Sequence, residues 1–241
     1  MQAARICPRG LFNIPIMKIG IIVAMDKEMA LLLPLLADAS EVTVNGVAFH
    51  TGTIAGHSVV ACKCGIGKVN AAIGTLTLIE NFHPALVINT GVAGGTGATD
   101  DPARVLDVVL ASEIAYHDVW CGPGTVPGQA AGCPGRFPCP LSDDVRSRLD
   151  VKEGLLASGD IFVDSPDDLR RILALYPDAK AVDMESAAIA QTCWLKSVPF
   201  VCIRVVSDTP GDGGNAAAYE SFWQAAPERT FAEVEKLLSI L

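Results

Sequence analysis

Short apolar runs rich in β-branched residues recur along the chain and alternate with segments of helical patterning. The first run, residues 18–24, reads Lys-Ile-Gly-Ile-Ile-Val-Ala and predicts a buried strand. Similar runs predict further strands at residues 42–53, 57–64, 85–90, 105–116, 155–163, 199–206 and directly before Asp183, with turns at Asn45-Gly46 and Ala55-Gly56. The strand at 155–163 is broken by Ser158-Gly159-Asp160. The alternation, with no internal repeat, predicts a single three-layer α/β/α domain with a mixed central sheet.

Helix boundaries are predicted from capping residues and from glycine and proline. Asp26 is the predicted N-cap of a first helix that ends near Leu36. Later helices are expected from 67 to about 80, from about 142, at 166–175, from 186, and at 216–240 with a break near Pro227. Glu28 lies in the first turn of the first helix. It either complements the helix dipole or faces the ligand-binding edge of the sheet, and locally the first role is favoured.

The stretch 181–194 places two carboxylates where a short apolar strand meets an almost entirely apolar helix. Asp183 and Glu185 flank Met184 at this junction. An acidic group in an apolar interior needs a cation, a metal or a ligand, because an unpaired buried charge is very costly. The alternative is that Glu185 and Ser186 simply cap a core helix and complement its dipole, and the stretch alone slightly favours that alternative.

Four predicted strand ends carry residues suited to binding or catalysis. They are Glu28, Gly91–Gly95, Met184-Glu185 and Ser207-Asp208. Ligands of α/β sheets gather at the carboxyl ends of the strands, and the glycine-rich segment predicts a turn that a flat ligand approaches closely. Neither a histidine-rich metal cluster nor a Ser/His/Asp order accompanies them. The predicted chemistry is therefore acid–base catalysis with hydrogen bonding.

Arg204 stands inside the apolar strand at 199–206. A buried arginine needs an acidic partner or an anionic ligand, since its charge is permanent. Asp183 or Glu185 is the natural candidate. The sequence leaves open which of the two carboxylates pairs with it.

Charge and cysteine usage narrow the class of protein. The formal net charge of -9 and the lack of a basic stripe exclude recognition of nucleic acid through its phosphates. No apolar run reaches the roughly 18 residues that a membrane span requires. The eight cysteines form no regular framework, which indicates a reducing, cytoplasmic compartment, and Cys62-Lys63-Cys64 has no second pair to complete a zinc site. Residues 1–16 are expected to be a disordered leader before a domain at 17–241.

Two further segments have more than one interpretation. Gly65-Ile-Gly-Lys68 lacks the upstream glycine and the Ser or Thr of a phosphate-binding loop, so it is expected to be a tight strand-to-helix connection beside the pocket. The Gly- and Pro-rich loop at 117–140 is too long for a plain connector and predicts a lid, a pocket wall or a subunit contact. Phe162 is either core filler or a platform on which a base stacks.

Taken together, six segments resemble the 5′-methylthioadenosine/S-adenosylhomocysteine nucleosidases of the nucleoside phosphorylase-like fold. The resemblance extends from Met17 to the C-terminus, and the combination is specific although no single segment is. The matching segments are Lys18–Glu28, Gly65–Val69, Asn89–Gly95, Ser158–Val163, Val182–Ser186 and Arg204–Asp208.

The resemblance implies hydrolysis of the N-glycosidic bond between adenine and a 5′-thio-substituted ribose, without metal or cofactor. By similarity, Asp208 is the general acid that protonates adenine N7, and Ser207 orients it. Glu28 is the general base that activates water. Two carboxylates on opposite faces of the sugar resemble the inverting glycosidases, and their environments must separate their pKa values.

The resemblance also assigns contacts to the substrate and implies a homodimer. Glu185 accepts hydrogen bonds from the ribose hydroxyls beside Met184, and Arg204 organises the carboxylates. For the base, Phe162 stacks on adenine while the Val163 backbone reads its edge. Gly94 lies in the predicted turn that approaches the base. The family covers the 5′-substituent with a partner subunit, and Tyr219 and Phe222 are candidates to cover it from the same chain.

Two departures from the family pattern keep the exact substrate open. Val92 stands where these nucleosidases often carry serine, and the loop at 117–137 is unusual where a partner subunit covers the 5′-substituent. Methylthioadenosine, S-adenosylhomocysteine, 5′-deoxyadenosine and an aminofutalosine-type nucleoside are all candidates. A phosphate-dependent phosphorylase is the enzymatic alternative, although the acidic segment Asp26-Lys27-Glu28 favours hydrolysis. A non-catalytic nucleoside-binding protein is the other alternative, and it would not need both an acid and a base.

Overall fold

The computed structural model describes residues 16–210, 213–225 and 229–241. The predicted leader thus lies outside the described residues, except for Ile16. Ten strands form one mixed sheet within the described ranges. The strands are β1 Lys18–Val23, β2 Ala37–Val44, β3 Val47–Ile54, β4 His57–Lys63, β5 Leu86–Gly95, β6 Val108–Tyr116, β7 Phe137–Pro138, β8 Lys152–Ser158, β9 Ala179–Asp183 and β10 Phe200–Asp208.

The sheet closes on itself at one end. The strand order is β10-β6-β8-β9-β5-β1-β4-β3-β2, and β5 also pairs with β10, so that β5, β10, β6, β8 and β9 form a ring. The pairings of β1 with β4 and β5, and of β5 with β10, are parallel. Parallel neighbours bring their carboxyl ends to one edge, where the predicted site residues lie.

The helices cover both faces of the sheet. Their bounds in the described ranges are α1 Asp26–Leu32, α2 Lys68–Phe82, α3 Asp143–Ser147, α4 Pro166–Leu175, α5 Ser186–Leu195, α6 Asn215–Ala225 and α7 Arg229–Ile240. No described helix combines the length and the apolar character needed to cross a membrane. The predicted break near Pro227 lies outside the described residues.

Alternation along the strands divides the core into layers. In β10, Val201 and Ile203 pack in the cluster that contains α7, whereas Cys202 and Val206 pack in the cluster that contains α5. Successive strand residues point to opposite faces, so Arg204 belongs to the α5 side. A third cluster packs α4 against β8 and β9. The predicted three-layer arrangement with a mixed sheet is confirmed.

Three local predictions were wrong. The first helix has Met25 rather than Asp26 as its N-cap, because the Glu28 carboxylate occupies the N–H groups at this end. The glycine-rich segment is not a turn: β5 continues through Gly95, and its last two residues pair with β9. The strand predicted at 155–163 ends at its predicted break, at Ser158, and the part predicted beyond the break is a loop.

Candidate active site

One cleft at the carboxyl ends of β1, β5, β9 and β10 contains every residue proposed for the site. The cavity within the cleft has a volume of about 130 Å³. The ten predicted residues that line it are Glu28, Gly94, Phe162, Val163, Met184, Glu185, Arg204, Ser207, Asp208 and Tyr219. Residues separated by almost the whole chain thus meet at one edge of the sheet.

Glu28 is a fully buried carboxylate held by backbone donors. Its Oε2 accepts hydrogen bonds from the N–H groups of Ala24 at 2.8 Å and Met25 at 3.0 Å, and its Oε1 accepts one from Val92 at 3.0 Å. Burial raises the pKa of Glu28, while Arg204 and the backbone donors oppose the rise. A carboxylate with a raised pKa is a stronger base than an ordinary one, which suits it to accept a proton.

Gly91 leaves the space that Glu28 occupies. A Cβ at this position would collide with Glu28 Oε1 and would lie 2.7 Å from Nη1 of Arg204. The residue also has φ of +137°, in the region that favours glycine. The glycine-rich end of β5 therefore leaves room for the Glu28 carboxylate at the edge of the sheet.

Arg204 anchors a buried polar cluster beneath the cleft. Its Nη2 donates to Asp183 Oδ2 at 2.6 Å, to Asn89 Oδ1 at 2.8 Å and to Ser186 Oγ at 3.1 Å. Glu185 Oε2 is 3.7 Å from the same nitrogen. Asp183 is therefore the close partner of Arg204, and Glu185 is a more distant one. This cluster compensates the buried charge that the sequence left without a defined partner.

Glu185 lines the cleft, and part of its hydrogen-bonding capacity is used within the protein. Its Oε1 accepts a hydrogen bond from the Gly67 N–H at 2.9 Å. Burial, reinforced by the neighbouring Asp183 carboxylate, raises the pKa of Glu185 to about 7. Glu185 is the N-cap residue of α5 by position, but its side chain makes no capping hydrogen bond. Asp183 takes that role, since both of its oxygens accept from the Ser186 N–H at 3.3 Å.

Asp208 is buried at the end of β10 with a donor on each carboxyl oxygen. Ser207 Oγ donates to Oδ1 at 2.7 Å, and Asn215 Nδ2 donates to Oδ2 at 3.4 Å. The pairing of β10 with β5 shifts register between Val206 and Asp208, as in a β-bulge. Bulges are common beside active sites because they re-aim a side chain. Here the irregularity lies at Asp208 itself.

Aromatic residues form the outer wall of the cleft. The Phe162 side chain is 46% exposed, which excludes the role of core filler and leaves a face for a flat ligand. Tyr219 contacts Phe162 edge-on, with ring centroids 6.0 Å apart, and its hydroxyl donates to Met25 Sδ at 3.1 Å. Phe222 does not line the cleft: it is buried and packs against Trp223.

Hydrogen bonds tie the start of α2 to the loop that carries Phe162. The Lys68 N–H donates to Asp160 Oδ1 at 2.8 Å, and Lys68 Nζ donates to Asp118 Oδ2 at 2.8 Å. Asp118 Oδ2 also accepts from the Asp160 N–H at 2.8 Å. Because the Gly67 N–H donates a hydrogen bond to Glu185, the segment before α2 connects the two sides of the cleft. The expected tight connection beside the pocket is thus found, and Ile66 lines the cleft.

Comparison with known proteins identifies the family. A family model described as the phosphorylase superfamily matches residues 18–239. The chain is 40% identical to the 5′-methylthioadenosine/S-adenosylhomocysteine nucleosidase of Staphylococcus aureus strain MRSA252 over 231 residues, which cover 92% of this chain and 100% of that relative. The chain belongs to this nucleosidase family of the phosphorylase superfamily.

Solved structures of the nucleosidase family share the fold over nearly the whole chain. The S-adenosylhomocysteine nucleosidase of Streptococcus pyogenes, in complex with 5-methylthiotubericidin, matches with a TM-score of 0.86 and 33% identity over 95% of this chain and 99% of that one. The nucleosidase of Colwellia psychrerythraea 34H, in complex with adenine, matches with a TM-score of 0.84 and 36% identity over 92% and 94%.

In this member of the nucleosidase family, the structure adds one residue that the sequence did not single out. Asn215 contacts the Asp208 carboxyl group, although it stands in a Gly- and Ala-rich segment without a recognisable motif. The only sequence signal is the lone polar amide that begins a helix close after Ser207-Asp208. Val92, the departure from the family pattern, contributes its backbone N–H to Glu28, a contact that any residue provides there.

Proposed function

We propose that this nucleosidase family member cleaves the N-glycosidic bond of 5′-methylthioadenosine, S-adenosylhomocysteine or a related 5′-substituted adenosine, with water as the nucleophile. The observation that carries the proposal is the convergence of two buried carboxylates, Glu28 and Asp208, in one cleft with different surroundings. The Glu28 carboxylate faces three backbone donors, and the Asp208 carboxyl group is oriented by side chains. Different environments are what allow one group to hold a proton while the other accepts one.

Asp208 is proposed to protonate adenine at N7. Protonation makes adenine a neutral leaving group, and positive charge then grows on the ribose in an oxocarbenium-like transition state. Ser207 supports this role because its donation to Oδ1 restrains the orientation of the carboxyl group in the cleft.

Glu28 is proposed to take the proton of the attacking water. Its pKa is raised by burial, so it accepts a proton more readily than an exposed glutamate does. Among the described lining residues Arg204 is the one cation, and it is already paired with Asp183 and Glu185. A phosphorylase needs cationic or other donors that are free to bind phosphate. Because Arg204 is already paired, water is favoured as the nucleophile.

The remaining wall residues are proposed to bind the nucleoside. Glu185 accepts hydrogen bonds from the ribose hydroxyls, with Met184 against the sugar. The exposed face of Phe162 stacks on adenine, the Val163 backbone reads its edge, and Gly94 permits close approach to the base. A last contact is Tyr219, which with Met25 and Ile66 gives the cleft an apolar portion suited to a 5′-thioalkyl group.

The test is adenine release from a panel of the four candidate nucleosides, with and without inorganic phosphate. We expect adenine and the free 5′-substituted ribose as products, at a rate independent of phosphate. A requirement for phosphate with formation of a ribose 1-phosphate would assign a phosphorylase instead. Tight nucleoside binding without any turnover would assign a non-catalytic binding protein.

Glu185→Gln is expected to raise KM for the nucleoside by about 10- to 100-fold, because charge-assisted hydrogen bonds to the ribose hydroxyls are lost. The wild-type pKa near 7 predicts that KM falls as pH rises through 7, when the carboxylate ionises. The variant should lack this pH dependence. Steady-state kinetics from pH 5.5 to 9 measure both effects.

Adenine alone is the control ligand for Glu185→Gln, since it has no ribose. Its affinity, measured by calorimetry, should be the same in both proteins. An equal loss of affinity for adenine and for the nucleoside would show that Glu185 shapes the whole cleft rather than holding the sugar.

We propose that the protein is a homodimer that resides in the cytoplasm. The seven described cysteines are all free, which supports a reducing compartment. Support for the dimer comes from exposed apolar side chains on α2 and at the end of α5. The set comprises Val69, Ile73 and Leu76 on α2, with Trp194 and Leu195 on α5. The spacing of four and three residues on α2 places its members on one face, and such patches mark protein interfaces.

Ile73→Asp is expected to convert the dimer to a monomer at micromolar concentration, because it places a charge in the apolar patch. Light scattering measures the change as a twofold loss of mass. Ser239→Asp, which adds the same charge to an exposed position of α7, should leave the mass unchanged. A wild-type protein that is monomeric at every concentration would rule out the dimer.

A further inference from the structure

Asn215 connects two parts of the site that come from distant segments of the chain. Its side-chain Nδ2 donates to the Val163 carbonyl at 3.1 Å and to Asp208 Oδ2 at 3.4 Å. The residue is 3% exposed and is not among the residues that line the cleft. Asn215 therefore contacts both groups from within the protein.

These two hydrogen bonds do not serve the helix that Asn215 begins. The start of a helix has unpaired N–H groups and needs acceptors, whereas Nδ2 of an asparagine is a donor. Both of its acceptors lie outside α6. The contacts therefore act on Val163 and Asp208 rather than on helix capping.

The two acceptors are the groups that the proposed function assigns to adenine. In adenine the N7 atom and the 6-amino group lie side by side on one edge of the base. An acid that protonates N7 and a backbone that reads the same edge must keep a defined spacing. Val163 belongs to the loop after β8 and Asp208 to the end of β10, and a side chain bonded to both determines their separation.

We propose that Asn215 is a positioning residue, which holds the general acid Asp208 and the base-reading backbone of Val163 at the spacing of the adenine edge. The inference rests on the proposed function, because it acts through Asp208. Ser207 donates to one carboxyl oxygen and Asn215 to the other, so together they define the plane in which the acid presents its proton. Asn215 is the first residue of α6, the helix that carries Tyr219, so the spacing of Asp208 and Val163 is set from the start of that helix.

The test compares two leaving groups in wild type, Asn215→Ala and Asn215→Asp. The substrates are 5′-methylthioadenosine, which needs protonation at N7, and 4-nitrophenyl 5-methylthio-riboside, whose leaving group departs without a proton. We expect Asn215→Ala to lower kcat for adenine release about tenfold, because the hydrogen bond to Asp208 strengthens as the acid gives up its proton and becomes charged, with kcat for the nitrophenyl riboside unchanged. Asn215→Asp keeps the shape but removes the donor and adds a negative charge, so its loss should be larger.

Matched controls separate positioning from folding. Asn81→Ala removes an amide on α2 that lies away from the cleft and donates a 2.8 Å hydrogen bond to a backbone carbonyl. This variant should leave both rates unchanged. Thermal unfolding of each variant shows whether it folds. If Asn215→Ala does not fold, the isosteric Asn215→Asp provides the comparison of the two substrates.

Three outcomes would overturn the inference. Equal losses for both substrates would show a merely structural role, and wild-type rates in both variants would show no role. Tighter nucleoside binding without loss of kcat would show that the amide competes with the adenine amino group. Asp208→Asn is measured alongside: if it is also fully active, the proposed function fails, whereas an inactive Asp208→Asn with a normal Asn215→Ala refutes only the role of Asn215.

Discussion

Asp208→Asn is expected to reduce the rate of adenine release by about 10²–10⁴-fold, the usual contribution of a general acid. An asparagine side chain donates a hydrogen bond to N7 but has no acidic proton to transfer. Adenine would then leave as an anion, which raises the barrier to cleavage. The substitution is nearly isosteric, and the carboxamide oxygen can still accept the hydrogen bond from Ser207, while its NH₂ group loses the longer 3.4 Å contact with Asn215, so the fold should survive.

The rate for Asp208→Asn is measured as single-turnover release of adenine from 5′-methylthioadenosine at saturating enzyme. Thermal unfolding and the affinity for adenine serve as controls, and both should stay close to the wild-type values. A variant that turns over at the wild-type rate would remove Asp208 from the mechanism and leave the leaving group without its proton donor.

Glu28→Gln is the second substitution with a large expected effect, again about 10²–10⁴-fold in kcat. A carboxamide does not accept a proton from water at neutral pH. Its NH₂ group must also face a backbone N–H, because the Glu28 oxygens accept from Ala24, Met25 and Val92. The expected modest loss of stability, about 1–3 kcal/mol for one unpaired donor, is checked by denaturant unfolding.

The pH dependence of kcat gives a second test of Glu28. A general base must be ionised, so the rate falls as pH drops through its pKa. Burial raises the pKa of Glu28. The acid limb of the pH–rate profile, where kcat falls with decreasing pH, is therefore expected at higher pH than an exposed glutamate would give. Glu28→Gln should lose this limb along with its rate. Because Glu185 acts on KM, the two titrations separate when kcat and KM are plotted individually. A limb that persists in Glu28→Gln would assign the titration to another group.

The elements that position the site were predicted well, since their patterns are local. The apolar runs at β1, β9 and β10 are short and are flanked by turns or helices, a pattern that is typical of buried strands. The carboxylates that follow them were recognisable because a charge beside a buried strand is unusual. The family motifs then indicated which of these carboxylates belong together.

Local prediction failed where another group competes for the same backbone N–H and C=O groups. Asp26 is a good N-cap by residue type, but the Glu28 carboxylate binds the N–H groups at this helix end. The glycine-rich segment after residue 90 looked like a turn because glycine is common in turns. Pairing with β10 and β9 keeps it extended instead, and its small size makes room for Glu28.

By itself, the sequence determined the fold class, the family and the set of residues at the strand ends, because these depend on local pattern and on motifs. Only the tertiary structure decided their relations. It paired Arg204 with Asp183 rather than equally with Glu185, placed three backbone donors on Glu28 and brought Asn215 to Asp208. The contacts of Arg204 with Asp183 and of Val92 with Glu28 join segments far apart in sequence, and their geometry follows from sheet register and helix packing. No short stretch of sequence encodes that register, so the partners of each buried charge appear only when the layers are assembled.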